Sequence, residues 1–359
     1  MECQYDLFNK PVEVKNNGKK FPTTRYNGSK LKLSEWIGSQ LSDLEFNTCL
    51  DAFGGTGSIS YKLKEMDKKV TYNDILSFNH YIGKALIENE NTILDDNDLN
   101  FILNENKNVE YKSTIQDNFK DIYFTESENQ WLDKTIANIN TIDNIYKYSI
   151  AFFALAQACI IKRPYNLFHR KNLYMRLSNV KRSFGNKTTW DTPFEELFRK
   201  FVNEANEAVF SNSYENTALN MNAFDIDDYF DLVYIDTPYI SEKGTFVDYF
   251  GFYHFLEGLT IYDDWENHID YNSKHHRLKP KKNIFNDKKQ IHKGFDELFK
   301  KYEDSIIVVS YRNDGTPTEN ELKEILESYK SKVSIKNFGH YKYVLSKNSK
   351  SKEILYIGE

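Results

Sequence analysis

Four consecutive residues, Asp236-Thr-Pro-Tyr239, combine groups that could bind and activate an amine. A carboxylate and the Thr237 backbone carbonyl can accept two hydrogen bonds from an exocyclic amino group, while the Tyr239 ring can stack on a flat heterocycle. These contacts raise the lone-pair character of the amine nitrogen, which could then attack a methyl group carried by a sulfonium. The same four residues could instead form an ordinary turn after a strand, with Asp236 as its cap and Pro238 ending the strand.

A glycine-rich segment far upstream, Gly54-Gly-Thr-Gly57, provides a second candidate site. It separates a predicted strand over residues 47–53 from a predicted helix over 58–66, and a second strand over 69–73 leads directly into Asp74. Such a turn lets a ligand approach the backbone, and an acid after the next strand can accept hydrogen bonds from ribose hydroxyls. The pattern favours a nucleotide-type ligand; a glycine turn used only for packing is the alternative, since the full dinucleotide fingerprint is absent.

The elements that must position these residues predict an α/β fold, because both motifs follow buried strands. The segment from Glu88 to Asn144 is rich in Asn, Asp and Glu, which indicates solvated loops and surface helices and not sheet. The other predicted elements are a buried helix over 148–161, an amphipathic helix over 193–210, strands over 231–235 and 304–310, a helix over 319–329, and a terminal hairpin pairing 341–345 with 353–357.

Residues 51–57, Asp-Ala-Phe-Gly-Gly-Thr-Gly, and Asp236-Thr-Pro-Tyr239 resemble, in this order, the cofactor and catalytic motifs of D12-class (alpha-group) DNA adenine-N6 methyltransferases of restriction-modification systems. The segment Arg25-Tyr-Asn-Gly-Ser-Lys30 resembles that family's first motif, and residues 253–258 and 310–315 resemble further family segments. The resemblance implies an α/β, Rossmann-like sheet of the class I S-adenosylmethionine-dependent methyltransferases, with a C-terminal antiparallel hairpin and an inserted, mostly helical target-recognition domain. We expect residues 1–87 and 215–359 to form the catalytic domain and residues 88–214 the insert.

The resemblance also assigns roles to single residues. The implied catalytic residues are Asp236, Thr237, Pro238 and Tyr239. The implied S-adenosylmethionine-binding residues are Tyr26 and Lys30 at the methionine part, Asp51, Phe53, Gly54, Gly55, Thr56 and Gly57 around the pocket, Asn73 and Asp74 at the ribose, and Asn222 and Ala223, followed by Phe224, near the adenine. Thr237 replaces the family's commoner proline, which keeps the carbonyl and adds an N–H. Asn222 stands where an acid is usual, and its amide oxygen can still accept a hydrogen bond.

A basic, aromatic stretch between residues 161 and 190 contains no Asp or Glu and predicts a DNA-binding surface. Cations bind phosphates, and amides suit adenine edges. The residues predicted to contact DNA are Arg163, His169, Arg170, Lys171, Asn172, Arg176, Lys181, Arg182 and Lys187. A solvated basic loop packed against acidic neighbours is the alternative. A second basic run, residues 274–289, could equally clamp the DNA backbone or form a mobile solvated loop.

Composition limits the remaining possibilities. The formal net charge of −6 argues mildly against nucleic-acid binding, but local basic surface decides such binding. Three widely spaced cysteines indicate free thiols, with neither a disulfide framework nor a zinc cluster, and we expect no metal. The absence of a long apolar stretch predicts a cytoplasmic protein without a membrane segment.

With the resemblance, these features predict a sequence-specific enzyme that transfers a methyl group from S-adenosylmethionine to N6 of an adenine flipped out of double-stranded DNA. Its expected setting is a restriction-modification system, with the cognate restriction endonuclease as a separate protein. Two alternatives stay open at this point. Cytosine-N4 methylation would use the same amine-binding arrangement, and a non-catalytic DNA-binding protein could have the same fold.

Overall fold

A computed structural model describes residues 18–178, 187–242, 244–340 and 352–359. Its central feature is a seven-stranded sheet in the order β3-β2-β1-β4-β6-β9-β8. The strands are β1 (Thr48–Asp51), β2 (Lys69–Asn73), β3 (Thr217–Leu219), β4 (Leu232–Ile235), β6 (Ile306–Arg312), β8 (Val333–His340) and β9 (Lys352–Gly358), with β5 (Ile240–Ser241) and β7 (Gly315–Thr316) forming a separate pair. Strands β3, β2, β1, β4 and β6 are parallel, and β9 is antiparallel to β6 and β8.

This sheet confirms the predicted α/β class and the antiparallel C-terminal hairpin. The second arm, predicted over 353–357, corresponds to β9, whereas the first arm is β8 and precedes the predicted 341–345, which lies outside the described residues. Strand β8 was missed because none of its residues with a described side chain is buried. Apolar alternation is limited to the partly buried Val333 and Ile335, which is too short to identify the strand.

Helices cover both faces of the sheet. They are α1 (Ser34–Leu41), α2 (Ser58–Glu65), α3 (Ser77–Gly83, continued by a π-helical turn), α4 (Asp96–Leu103), α5 (Thr114–Asn118), α6 (Glu126–Ile139), α7 (Ile145–Ile161), α8 (Leu173–Leu177), α9 (Lys187–Asp191), α10 (Phe194–Ala208), α11 (Tyr249–Leu259), α12 (Trp265–His268), α13 (Ile291–Lys301) and α14 (Glu319–Glu327). Successive residues of β4 point to opposite faces, so Tyr234 joins the large apolar cluster with α1 to α7 and α10 to α12, while Val233 joins a second cluster with α13 and α14.

Helix α7 forms the centre of the larger cluster. From Ser149 to Ile160 every residue is buried, and the helix packs against α3 and α10. A helix that is apolar on all sides is stable only inside the fold, which the sequence of this segment predicts. Helix α10 is amphipathic, also as predicted, and buries Phe198, Phe201 and Val202 on one face.

The expectation for residues 88–144 was correct in one respect and wrong in another. The segment contains helices and no strand of the described sheet, but it is not mainly solvated, since Ile102, Tyr123 and Ile136 are fully buried. The polar composition of this segment was misleading because several of its asparagines form hydrogen bonds inside the fold. The buried Asn138 side chain donates to the backbone carbonyls of Ile102 and Asn104, at 2.8 Å each. Amides that satisfy buried backbone groups in this way are compatible with a core.

The helices between β2 and β3 share one apolar cluster with the sheet, through residues such as Val70, Tyr72 and Phe152. The packing is therefore continuous across residues 88 and 214, and a separate recognition domain with these boundaries stays a prediction. Among the described residues, no helix has the length and apolar character needed to cross a membrane.

Candidate active site

The two motifs separated in sequence line one cavity of about 390 Å³. Asp51 ends β1, Asp74 follows β2 and Asp236 follows β4, so all three lie at the carboxyl edge of the parallel strands. The volume falls in the range of small-molecule sites. Most predicted cofactor residues line this cavity, namely Tyr26, Lys30, Asp51, Phe53, Gly54, Gly55, Thr56, Asn73, Asp74, Asn222 and Ala223.

The glycine turn is held in place by the acid that follows β2. The Gly55 backbone N–H donates to Asp74 Oδ2 at 2.8 Å, and Leu76 donates to Oδ1 at 2.8 Å. Gly55 and Gly57 have φ of 53° and 75°, a region that favours glycine, and Gly57 is the N-cap of α2 and not part of the cavity wall. The turn therefore places the start of α2 beside the cavity, as the sequence predicts.

Two carboxyl groups in the cavity have raised pKa values. Burial raises the pKa of Asp51 to about 7, against a hydrogen bond from Ser60 that lowers it, and burial raises the pKa of Asp74 to about 6. Ser60 donates to Asp51 Oδ2 at 2.6 Å. Asp51 Oδ1 is buried and has no hydrogen-bond partner within the described part of the chain. A ligand with a cationic or N–H group would satisfy this oxygen.

Asp236 is joined to the first motif by an ion pair. Lys30 Nζ lies 2.6 Å from Oδ1 and 2.7 Å from Oδ2 of Asp236. The Tyr239 hydroxyl donates to Oδ1 at 2.7 Å, and Lys30 also contacts that hydroxyl. The Lys30 side chain is 5% exposed and that of Asp236 is 15% exposed, so only the carboxylate retains an accessible face at the cavity. With donors on this side, the carboxylate can act as a hydrogen-bond acceptor towards the cavity.

A buried carboxylate from β9 completes this group and was not singled out from the sequence. Glu353 is fully buried; its Oε1 accepts from Ser310 Oγ at 2.6 Å and from the Tyr239 hydroxyl at 3.3 Å, and lies 3.7 Å from Lys30 Nζ. A glutamate at the start of a predicted strand is typical of a surface position. Only the pairing of β9 with β6 brings Glu353 beside Ser310 and the catalytic motif.

The structure differs from the expectation for Tyr239. The predicted stacking ring is buried against Tyr311, edge to face with centroids 5.0 Å apart, and it is not in the described cavity wall. The hydrogen bond from the Tyr239 hydroxyl to Asp236 holds the Tyr239 ring near the end of β4. The neighbouring Thr237 is buried, and its hydroxyl has no partner among the described residues.

Other aromatic rings line the cavity instead. Tyr26 lies nearly parallel to two other rings, that of Tyr249, with centroids 5.5 Å apart, and that of Tyr253, with centroids 4.5 Å apart. Tyr249 and Phe250 of α11 join Tyr26 in the cavity wall. Tyr249 and Phe250 both lie in a segment of the sequence, residues 246–265, that is dense in aromatic side chains.

Three residues predicted to contact DNA are buried, and that prediction was wrong for them. Arg163 is 1% exposed, donates to the Tyr123 carbonyl at 2.8 Å and contacts Asn172, which is itself buried. Arg176 is 4% exposed and pairs with Glu128 at 2.7 Å. The absence of acids within 161–190 was uninformative because the counter-charge comes from helix α6.

The remaining members of the basic stretch differ from one another. Arg170 and Lys171 are exposed and lie near the exposed apolar side chains of Tyr174 and Leu177. His169 is partly buried, and burial together with the Arg170 and Arg163 charges lowers its pKa to about 4. Lys187 is exposed and pairs with Asp191 at 3.1 Å, whereas Lys181 and Arg182 lie outside the described residues.

Comparison with known proteins assigns a family to this arrangement. The sequence profile of the D12 class N6 adenine-specific DNA methyltransferases matches residues 26–313. That range includes residues 26–30 of the first motif, the glycine turn, Asp236-Thr-Pro-Tyr239 and the 281–286 segment of the second basic run. It ends before Glu353.

Three relatives have similar sequences. Type II methyltransferase M2.HphI of Haemophilus parahaemolyticus is 33% identical over 356 residues, covering 96% of this chain and 99% of that protein. Type II methyltransferase M.FokI of Planomicrobium okeanokoites is 26% identical over 332 residues, 85% of this chain and 47% of that protein. Modification methylase StsI of Streptococcus sanguinis is 26% identical over 360 residues, 92% of this chain and 50% of that protein. The chain therefore spans nearly all of the first relative and about half of the other two.

Proposed function

The chain belongs to the D12 class of N6 adenine-specific DNA methyltransferases, and we propose that it performs methyl transfer in the cavity shared by the glycine turn and Asp236. Methyl transfer in such a family depends on S-adenosylmethionine. Cytosine-N4 methylation and a non-catalytic role are not retained, because the family is adenine-specific. The single observation that carries the proposal is that the cofactor motif and the catalytic motif line one cavity.

The residues present fit this cofactor. The unpartnered, buried Oδ1 of Asp51 needs a donor, and the α-ammonium of the cofactor has that chemistry. Asp74 lies beside the turn with both oxygens in backbone hydrogen bonds, and each oxygen retains a lone pair for a ribose hydroxyl. Phe53 and Phe224 form an aromatic wall suited to adenine. When bound, S-adenosylmethionine supplies a methyl group activated by its sulfonium.

Asp236 and the Thr237 carbonyl would hold the amino group of the target adenine. The exposed face of Asp236 accepts one N6 hydrogen, and the carbonyl accepts the other. Lys30 and Tyr239 hold the carboxylate from behind, so it is oriented before the base arrives. The nitrogen lone pair then points towards the cavity, and the proton lost on transfer passes to Asp236 or to solvent.

The target base must leave the duplex to reach this position. Tyr249 is a better stacking candidate than Tyr239, because its ring lies in the cavity wall and that of Tyr239 does not. An adenine ring could stack on Tyr249 as Tyr26 does, with parallel planes. Aromatic stacking of this kind offsets part of the unstacking free energy, by about 1–3 kcal/mol per base.

We place the enzyme in a restriction-modification system that acts on double-stranded DNA. M2.HphI and M.FokI are named Type II methyltransferases, and StsI is named a modification methylase. By analogy, a separate endonuclease would cleave the same recognition sequence when it is unmethylated. The exposed Arg170 and Lys171 are the predicted DNA contacts that this proposal keeps.

Long-read modification sequencing tests the proposal in cells that express either the wild-type protein or Asp236→Ala. We expect N6-methyladenine at one short sequence motif with the wild type and none with the variant. Circular dichroism and calorimetric binding of S-adenosylmethionine establish that the variant is folded. N4-methylcytosine, or no modified base from a folded wild-type protein that binds the cofactor, would overturn the proposal.

A further inference from the structure

One segment of the second basic run belongs to the wall of the catalytic cavity. Residues 281–286, Lys-Lys-Asn-Ile-Phe-Asn, all line it, and we name them the strap. The inner half of the strap, from Ile284 to Asn286, is a single 3-10 turn, while Lys281 and Lys282 in the outer half are exposed. The strap therefore spans the distance from the cavity wall to solvent.

The inner half is firmly seated. Phe285 is 2% exposed; its ring lies edge to face with Phe53 at 5.4 Å and parallel to Phe224 at 6.0 Å. Asn283 caps the turn by accepting from the Phe285 backbone N–H at 2.9 Å. A Cβ on Gly294 of α13 would lie 3.1 Å from the Phe285 ring, so helix and ring are in close contact. These contacts fix the backbone that carries the two lysines.

The outer half presents two ammonium groups that form no direct ion pair within the described residues. Neither Lys281 nor Lys282 has a carboxylate within 4.0 Å in the described ranges, whereas the buried Arg176 and the exposed Lys187 each have one. Lys281 Nζ lies 4.8 Å from the centroid of the Phe250 ring, and Phe250 also lines the cavity. This contact holds one ammonium beside the opening of the cavity.

An extruded nucleotide enters the cavity base first, so its own phosphates remain at the opening. Those phosphates are charged and need cations. Of the lysines and arginines in the described wall of the cavity, the one besides Lys281 and Lys282 is Lys30, which is buried and paired with Asp236. We propose that Lys281 and Lys282 bind the DNA phosphates that flank the flipped adenine. This inference rests on the proposed function, and it assigns to the strap a contact with the target strand that is independent of base identity.

The test compares two double variants of equal charge change. Lys281→Ala/Lys282→Ala, the clamp variant, removes the two proposed phosphate contacts. Lys274→Ala/Lys289→Ala, the control variant, removes two exposed lysines of the same basic run that do not line the cavity. Binding to a short duplex is measured by fluorescence anisotropy over a series of salt concentrations. Thermal unfolding accompanies each variant, and its midpoint is expected to equal that of the wild type.

We expect the negative slope of log K against log salt to be less steep by about two in the clamp variant, since each phosphate contact contributes roughly 0.9. The control variant should keep the wild-type slope. Equal slopes for the two variants, together with DNA methylation by the wild-type protein, would overturn only the proposed phosphate contacts of Lys281 and Lys282. Absence of methylation by the wild-type protein would instead overturn the proposed function, so the two failures are distinguishable.

Discussion

Lys30 Nζ lies within 2.7 Å of both carboxylate oxygens of Asp236, although 206 residues separate the two in the chain. The first motif thus contacts the catalytic motif directly and not only the cofactor pocket. Both side chains are largely withdrawn from solvent, so the ion pair is weakly screened. Removing Lys30 deprives the Asp236 carboxylate of its cation, whereas Lys30 keeps Glu353 as a second, more distant anion.

The first prediction concerns this pair. Lys30→Met should slow single-turnover methyl transfer by about 100-fold, because Asp236 loses the donor that orients it. Lys32→Met, at an exposed neighbouring position, is the matched control and should leave the rate unchanged. Equal rates for the two variants would show that the ion pair does not contribute to the reaction.

A second prediction concerns Glu353. Glu353→Gln keeps an acceptor for Ser310 but removes the charge 3.7 Å from Lys30, and we expect kcat to fall about tenfold with an unchanged KM for DNA. Glu324→Gln, at an exposed position of α14, is the control. A rise in KM with constant kcat would indicate a role in DNA binding and contradict the positioning role.

Cofactor binding should depend on pH through Asp51. The cofactor's α-ammonium requires the ionised carboxylate, so the Kd for S-adenosylmethionine should rise by about tenfold for each pH unit below the Asp51 pKa of about 7. Calorimetry between pH 5 and 7 measures this, and proton release on binding should accompany it. Asp51→Asn should bind weakly with a flatter profile; a wild-type Kd independent of pH would exclude the contact.

The same residue gives a prediction of opposite sign for stability. Because burial raises the pKa of Asp51 in the folded protein, the folded state retains a proton that the unfolded chain has lost. The contribution of Asp51 to the free energy of unfolding therefore decreases as pH rises from about 4 to about 7. Asp51→Asn should stabilise the ligand-free protein at pH 8 while weakening cofactor binding. Urea unfolding at pH 5 and pH 8 separates this effect from a general packing change.

The two kinds of arginine in the basic stretch should behave differently. Arg176→Ala breaks a buried ion pair with Glu128 and should lower the free energy of unfolding by about 3 kcal/mol. Arg170→Ala, at an exposed position, should leave stability unchanged and reduce the salt slope of DNA binding by roughly 0.9. Urea unfolding and anisotropy on both variants check this contrast, which would fail if Arg176→Ala unfolded like the wild type.

The sequence was sufficient to predict the parts of the site that are local in the chain. Strand β1, the turn at Gly54 to Gly57 and helix α2 follow one another directly, and each has its own signal of apolar residues, glycines or periodicity. The positions of Asp51 and Asp236 at the ends of predicted strands were enough to expect both at the carboxyl edge of the sheet. Lys30 was assigned to the cofactor, and its ion pair with Asp236 was not predicted.

Contacts between distant segments were the parts that could not be predicted. Glu128 neutralises Arg176 across a helix packing interface, and nothing near Arg176 in sequence indicates that partner. Likewise, Phe285 lies in a basic run whose lysines dominate its composition, so its packing on Phe53 left no periodic signal. Glu353 depends on strand order, which is a property of the whole sheet.

The position of β9 between β6 and β8 has a consequence for synthesis on the ribosome. Both neighbouring strands emerge before β9 does, and they cannot complete the sheet until it inserts between them. A nascent chain therefore carries two unpaired strand edges, which are sites of aggregation, and it lacks Glu353 beside Lys30. Methylating activity and protection of these edges should appear together, in one late step of folding.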